Sequence, residues 1–247
     1  MASFVTIVAN AQEALPTQVG TAFVVAAPDY LVTALHVVRG QNQILVGPID
    51  GRRFAKAVLV ASDEANDLAL LRAPVSRPPL DIALWDSVPI GLEVFVMGYP
   101  QPRYQGAEKK ITQGIFNGQR GNDKGIHFQL SAEIQKGNSG GPALAPDGSV
   151  LGVIQSKLNA LSVAEKTKDL PQNVNFALKS SVLISFLERA EVPITLSRVD
   201  LSRSARPYEV FKRYEGAVLM VLARNRPPTV TATPSETGPE LIEPPKP

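Results

Sequence analysis

Imidazole chemistry in this chain has two sources only, His36 and His127. His36 stands in Val32-Thr33-Ala34-Leu35-His36-Val37-Val38, where an apolar strand runs directly into the ring. A strand end holds a ring rigidly and can still open it to a groove, which is what a general base needs. Taken alone, such a histidine reads first as a core or surface residue satisfied by hydrogen bonds. Asp67 heads Asn66-Asp67-Leu68-Ala69-Leu70-Leu71 and is either a strand-edge turn residue or the acceptor of the His36 Nδ1 proton. The second role predicts burial, which Leu68 and Leu70 would provide. The third feature is Lys136-Gly137-Asn138-Ser139-Gly140-Gly141-Pro142. An exposed serine among glycines suits a site where backbone N–H groups converge on one point, because glycine tolerates the dihedrals involved. Ser139 would then be a nucleophile, with the N–H groups of Gly137 and Ser139 as oxyanion donors. The alternative for this motif is a flexible turn. A strand-end His, a strand-head Asp and a Gly-framed Ser in that chain order together point to acyl-transfer chemistry.

Those three side chains are distant in sequence, so β-structure must bring them together. Short β-branched segments separated by Gly, Pro, Asn and Asp fill residues 3–178, a barrel or sandwich signature. Strands are predicted at 4–8, 21–26, 31–34, 44–46, 55–61, 68–72, 94–98, 111–119, 126–130, 150–156 and 173–177. Their close spacing, without intervening helices, favours antiparallel hairpins over βαβ crossovers. At 180–190 a stripe of Val182, Leu183, Phe186 and Leu187 behind Ser180, a candidate N-cap, predicts a closing helix. Residues 1–190 form the catalytic candidate, and 191–224 an extension packed on it, with a short helix near 209–214 and a strand-like run at 217–223. Proline interrupts 225–247, which reads as a disordered tail.

Composition removes other functions. The 247 residues are 44% hydrophobic and 19% charged with 21 Pro and 18 Gly, globular usage that leans toward all-β. A net charge of +2 is too small to favour nucleic acid or an anionic membrane. No run approaches the length of a membrane helix. The expected partner is a protein or peptide. With no cysteine, thiolate nucleophiles, disulfides and Cys-based metal sites are excluded, and no metal or organic cofactor is implied. Residues 1–10 lack a cationic n-region and a long apolar core, so the chain as written reads as cytoplasmic. His127 and Trp85 read as structural. The basic cluster Arg198, Arg203, Arg206, Lys212 and Arg213 reads as a solvated surface, with protein docking on the extension as the alternative.

The motifs above resemble those of trypsin-like peptidases, most closely the bacterial HtrA/Deg type of protease domain. The matching stretches are Gly20-Thr21-Ala22-Phe23-Val24-Val25, 32–38, 67–71, Gly98-Tyr99-Pro100, Thr112-Gln113-Gly114-Ile115, 131–142, 148–154 and Asn175-Phe176-Ala177-Leu178, in family order. The resemblance implies an all-β fold of two six-stranded antiparallel barrels with a C-terminal helix. It implies a serine endopeptidase with His36, Asp67 and Ser139 as triad and Gly137 and Ser139 as oxyanion donors. It also implies an S1 pocket formed from Glu133, Ile134, Ile154, Gln155, Ser156 and Phe176. Glu133 pointing inward would favour Arg or Lys at P1, and pointing outward would leave a small aliphatic pocket beside Ile134 and Phe176. Two departures stand out. Digestive trypsins carry Asp before the nucleophile, whereas Asn138 cannot pair with a newly cut N-terminus, so loop ordering must come from elsewhere. The residues after Ala190 are too few and too proline-rich for the PDZ domain that HtrA proteins usually append. The rivals are a catalytically silent pseudoprotease that binds peptides and an esterase, though esterases usually present Gly-x-Ser-x-Gly on an α/β scaffold.

Overall fold

The computed structural model describes residues 18–27, 29–48, 53–119, 125–155 and 174–225. The first barrel takes β1 (Gln18–Ala26), β2 (Tyr30–Ala34), β3 (Gln43–Gly47), β4 (Ala55–Asp63) and β5 (Leu68–Arg72). The second region holds β6 (Ile82–Ala83), β7 (Glu93–Gly98), β8 (Lys110–Gln119), β9 (His127–Leu130), β10 (Pro142–Leu144), β11 (Val150–Ile154) and β12 (Asn175–Lys179). Two further strands follow, β13 (Leu196–Ser197) and β14 (Val218–Arg224). The strands form two closed six-stranded antiparallel barrels. The first has the order β1-β14-β3-β4-β5-β2, and the second runs β10-β7-β8-β9-β12-β11 and closes through β10–β11 pairing. β6 adds to β11 in parallel and β13 adds to β6, both outside the ring. The expected strand at 4–8 lies outside the described residues, as does the segment 225–247 after Asn225.

Closure of the first barrel is where the sequence reading needs amending. β14, read as part of an extension packed on the domain, is inserted between β1 and β3, pairing Val221 with Gly20 on one side and with Val46 on the other. Residues Val218, Val221 and Ala223 are fully buried there. A closed barrel has no edge strand exposed to solvent or to another chain. The run at 217–223 is thus apolar because both its neighbours and the barrel interior demand it.

The second barrel centres on Trp85, Phe116 and Phe128, whose ring centroids lie 5.0–5.5 Å apart. Tilted and edge-on pairs of this kind exceed simple area burial by about 1 kcal/mol. The helix Ser180–Arg189 follows β12 without a break and buries Leu183, Phe186 and Leu187. Ser180 is its first residue rather than its cap, and the capping position falls on Lys179. No described helix is long and apolar enough to cross a membrane.

The 191–224 segment also touches the second barrel. Tyr214 Oη donates to the Asp147 carbonyl at 2.5 Å, and Lys109 Nζ donates to the Glu215 carbonyl. Burial pulls the Lys109 ammonium down to about 8, with the Glu215 carboxylate opposing. Burial, aided by the same carboxylate, holds the Tyr99 phenol well above its ordinary range. The basic cluster is partly paired: Arg198 with Asp86 at 3.2 Å and Arg206 with Glu209 at 3.0 Å.

Two outcomes follow from this packing. A chain ending at residue 217 opens the barrel and leaves β1 and β3 each with one free edge, and it is expected to lose the cooperative thermal transition in circular dichroism, because the loss approaches the whole net stability of about 5–15 kcal/mol. For Lys109, the native state releases its proton near pH 8 and the unfolded chain near 10.5, so the unfolded state binds more protons in between and stability rises with pH. Above about pH 10 the raised Tyr99 pKa acts in the opposite direction. The melting midpoint is therefore expected to climb from pH 8 to 10 in the wild type and to stay flatter in Lys109→Met.

Candidate active site

β2 ends at Ala34 and a single helical turn, Leu35–Val38, takes over. His36 thus sits in the first turn of a short helix rather than on the strand end expected. The change of backbone exposes its N–H, and Asp67 takes it. The Asp67 carboxylate accepts the His36 backbone N–H at 2.8 Å through Oδ1 and contacts ring Nδ1 at 2.6 Å through Oδ2. The Asp67 carbonyl meanwhile accepts from Leu35 N at 2.9 Å. A carboxylate that accepts a hydrogen bond from Nδ1–H leaves Nε2 as the ring's acceptor. The sequence reading expected Asp67 to be buried, but the His36 and Asp67 side chains are 22% and 29% exposed. Asp67 lies in a turn at the barrel mouth, where water reaches one side of it.

That turn is over-determined. Asp67 has φ +52°, a left-handed conformation that Asp tolerates better than most residues. Asp63 receives Asn66 N at 3.0 Å and Asn66 Nδ2 at 2.8 Å, and it pairs with Arg189 of the closing helix at 2.9 Å. The Asp63 carboxyl is held below its usual range by these bonds, against the opposing effect of burial.

Ser139 is brought to the same seam by β1. The Ser139 carbonyl accepts from Thr21 N at 2.9 Å, and the Thr33 hydroxyl donates to the Thr21 carbonyl at 2.7 Å, two positions before Leu35. Gly140 shows why glycine is required: with φ +82°, an added Cβ would lie 2.4 Å from Ala34 N and 2.4 Å from Thr33 Oγ1. The loop therefore abuts the strand that delivers His36. Ser139 is 3% exposed rather than open to solvent, because its loop is wedged between barrels.

The peptide planes that carry the Gly137 and Ser139 N–H groups are individually anchored. Lys136 O accepts from Gln101 N at 2.7 Å, and Asn138 O accepts from Gly141 N at 2.9 Å. In a planar trans peptide the N–H points opposite to the carbonyl, so the Gly137 and Ser139 N–H groups face away from those contacts. Between them the Gly137 carbonyl accepts from Thr21 Oγ1 at 2.7 Å. Gly137 has φ +100°, and a Cβ would fall 2.2 Å from the Tyr99 carbonyl. Asn138 answers the question of loop ordering: its Oδ1 accepts from Gln135 N at 3.1 Å and its own N–H donates to Gln135 O at 3.0 Å. A neutral amide closes the loop on itself without an outside charge.

The expected pocket residues separate. Glu133 is exposed, with its carbonyl taking the Thr112 hydroxyl at 2.8 Å. Ile134 packs partly buried on the second core, and Phe176 is partly buried on β12. Ile154 is fully buried and clasps the serine loop through main chain, donating to Gly141 O and accepting from Gly140 N, both at 2.8 Å. Gln155 is 7% exposed with its amide engaged at both ends. Ser156 lies outside the described residues. Sequence reasoning missed Thr21, whose only signal was a hydroxyl inside the apolar run of β1. Among the described residues, no group of three or more His, Asp or Glu side chains is placed to hold a metal ion.

Comparison with known proteins places this geometry in context. Residues 20–153 match the model of the trypsin-like peptidase domain. The chain is 39% identical over 173 residues to uncharacterized protein y4bJ of Sinorhizobium fredii, covering 68% of this chain and 26% of that protein. It is 31% identical over 185 residues to the mitochondrial serine protease HTRA2 of Bos taurus, covering 72% and 37%. It is 34% identical over 139 residues to a probable periplasmic DegP-like serine endoprotease of Halomonas elongata, covering 54% and 28%. The chain thus spans well under half the length of these relatives. Among solved structures it is similar to the HtrA-type protease AlgW with decapeptide, at TM-score 0.58 and 26% identity over 70% of this chain and 51% of that one.

Thr21→Val tests the bracing of the loop. It keeps the shape but leaves the buried Gly137 carbonyl without its donor, and a loss of about 1–3 kcal/mol in chemical denaturation is expected.

Proposed function

The chain belongs to the trypsin-like peptidases, with a protease domain of the HtrA type, and from that premise we propose that it cleaves peptide bonds through an acyl-enzyme. Ser139 attacks the scissile carbonyl while His36 Nε2 takes the hydroxyl proton and returns it to the departing amine. Asp67 keeps the ring in the Nδ1–H tautomer and stabilises the imidazolium. The Gly137 and Ser139 N–H groups receive the developing oxyanion, each worth on the order of 3 kcal/mol of barrier. Water then hydrolyses the ester by the same proton route in reverse. The observation that carries this reading is the two-point grip of Asp67 on His36, at 2.8 and 2.6 Å, in a ring delivered beside the serine loop. A structural histidine needs one partner, whereas here one carboxylate engages both the ring and the backbone N–H.

The substrate side of the site favours a small aliphatic P1 residue. Glu133 is exposed while Ile134 and Phe176 stay partly buried, so the acid is not set as a pocket floor.

A fluorophosphonate probe and a peptide-library cleavage profile test both statements on the same protein. The wild type is expected to label and to cleave after Val, Ala or similar residues. Ser139→Ala should not label, and its kcat should fall by about 10⁴-fold or more. Equal labelling of both proteins, or none under any condition, would favour a peptide-binding pseudoprotease; cleavage only after Arg or Lys would give Glu133 the pocket.

A further inference from the structure

Behind the triad runs a second hydrogen-bonded line that crosses from one barrel to the other. Gln155, just past β11, sends its amide Nε2 to the Asn66 carbonyl at 2.6 Å. Its Oε1 meets His127 Nε2, on β9, at 2.9 Å. Both side chains are buried, Gln155 at 7% and His127 at 8% exposure. The polarity of the line is not open to choice. A carbonyl can only accept, so the amide NH2 faces Asn66 and the amide oxygen faces the imidazole; His127 must then carry its hydrogen on Nε2.

The target of this line matters. The Asn66 carbonyl belongs to the peptide that enters Asp67, and that plane together with φ +52° sets where the Asp67 carboxylate points. Non-glycine residues stay in the left-handed region only while their surroundings hold them there. Asp63 grips the amino side of Asn66, at its N–H and its side chain, and Gln155 grips the carbonyl side. Without Gln155 the plane is free to turn toward ordinary negative φ, drawing the carboxylate off His36 Nδ1.

We propose that Gln155 and His127 are positioning residues for the triad, with Gln155 locking the Asn66–Asp67 peptide across the barrel seam and His127 locking the Gln155 amide. The proposal rests on the serine-peptidase reading for its kinetic consequence, and on geometry alone for its structural one. It moves Gln155 from the specificity pocket, where sequence reading put it, to the support of the acid. It also gives His127 a duty beyond filling the core.

The test uses Gln155→Glu, which keeps the shape and can still accept from His127 but cannot donate to Asn66. Gln155→Met serves as a second variant of similar volume, and His127→Phe cuts the far end of the line. Steady-state hydrolysis of a peptide that the wild type cleaves should show kcat lowered roughly tenfold to a hundredfold in the Gln155 variants, with KM and P1 preference unmoved. His127→Phe should act in the same direction, and the Gln155→Met/His127→Phe double variant should be no slower than Gln155→Met alone. Independently of turnover, the low-field proton resonance of His36 Nδ1–H should shift or broaden in Gln155→Glu. Wild-type kcat with an unmoved resonance overturns the proposal, as do additive losses in the double variant. A raised KM or altered P1 profile at constant kcat also overturns it, by returning Gln155 to the pocket. If the wild type proves inert toward peptides and fluorophosphonate while the resonance still moves, the positioning stands and the peptidase reading fails.

Discussion

Asp67 holds His36 by two atoms at once, ring Nδ1 and backbone N, from a turn whose φ is positive. Much else in the first barrel serves that one contact. The helical turn at Leu35–Val38 frees the N–H that Oδ1 takes, and β5 begins directly after Asp67, so the acid is carried by a strand paired with the one that leads to the histidine. A carboxylate partly open to water would ordinarily wander among rotamers. Two donors on one rigid element remove that freedom, which substitutes for the deep burial expected of it.

The serine loop is ordered by a different principle, the anchoring of consecutive carbonyls. Lys136, Gly137, Asn138 and Ser139 each give their carbonyl to a named donor, from Gln101, Thr21, Gly141 and Thr21 respectively. Planar peptides convert those four bonds into fixed N–H directions. Thr21 appears twice, as backbone donor and as hydroxyl donor, so a single residue of the first barrel sets the serine loop of the second. Asn138 closes the loop locally through its two bonds to Gln135.

Barrel closure ties the chain's late residues to this early machinery. β14 lies against β1, the strand that carries Thr21, while Tyr214 and Lys109 fasten the preceding segment to the second barrel. Material that reads as an appendage is thereby part of the wall that positions the site.

The sequence by itself determined the class of fold, and it offered three candidate side chains in a definite order, because strand periodicity, glycine punctuation and a Gly-framed serine are local signals. It also foretold the closing helix, from one apolar stripe. Tertiary structure alone decided that β14 completes the first barrel, that Thr21 braces Gly137, and that Gln155 joins His127 to the Asn66 carbonyl. These are contacts between residues as far as 205 positions apart in the chain, as Gln18 opposite Ala223 is. Neither their partners nor the direction of an amide is encoded in neighbouring residues, so only the folded packing of two barrels can choose them.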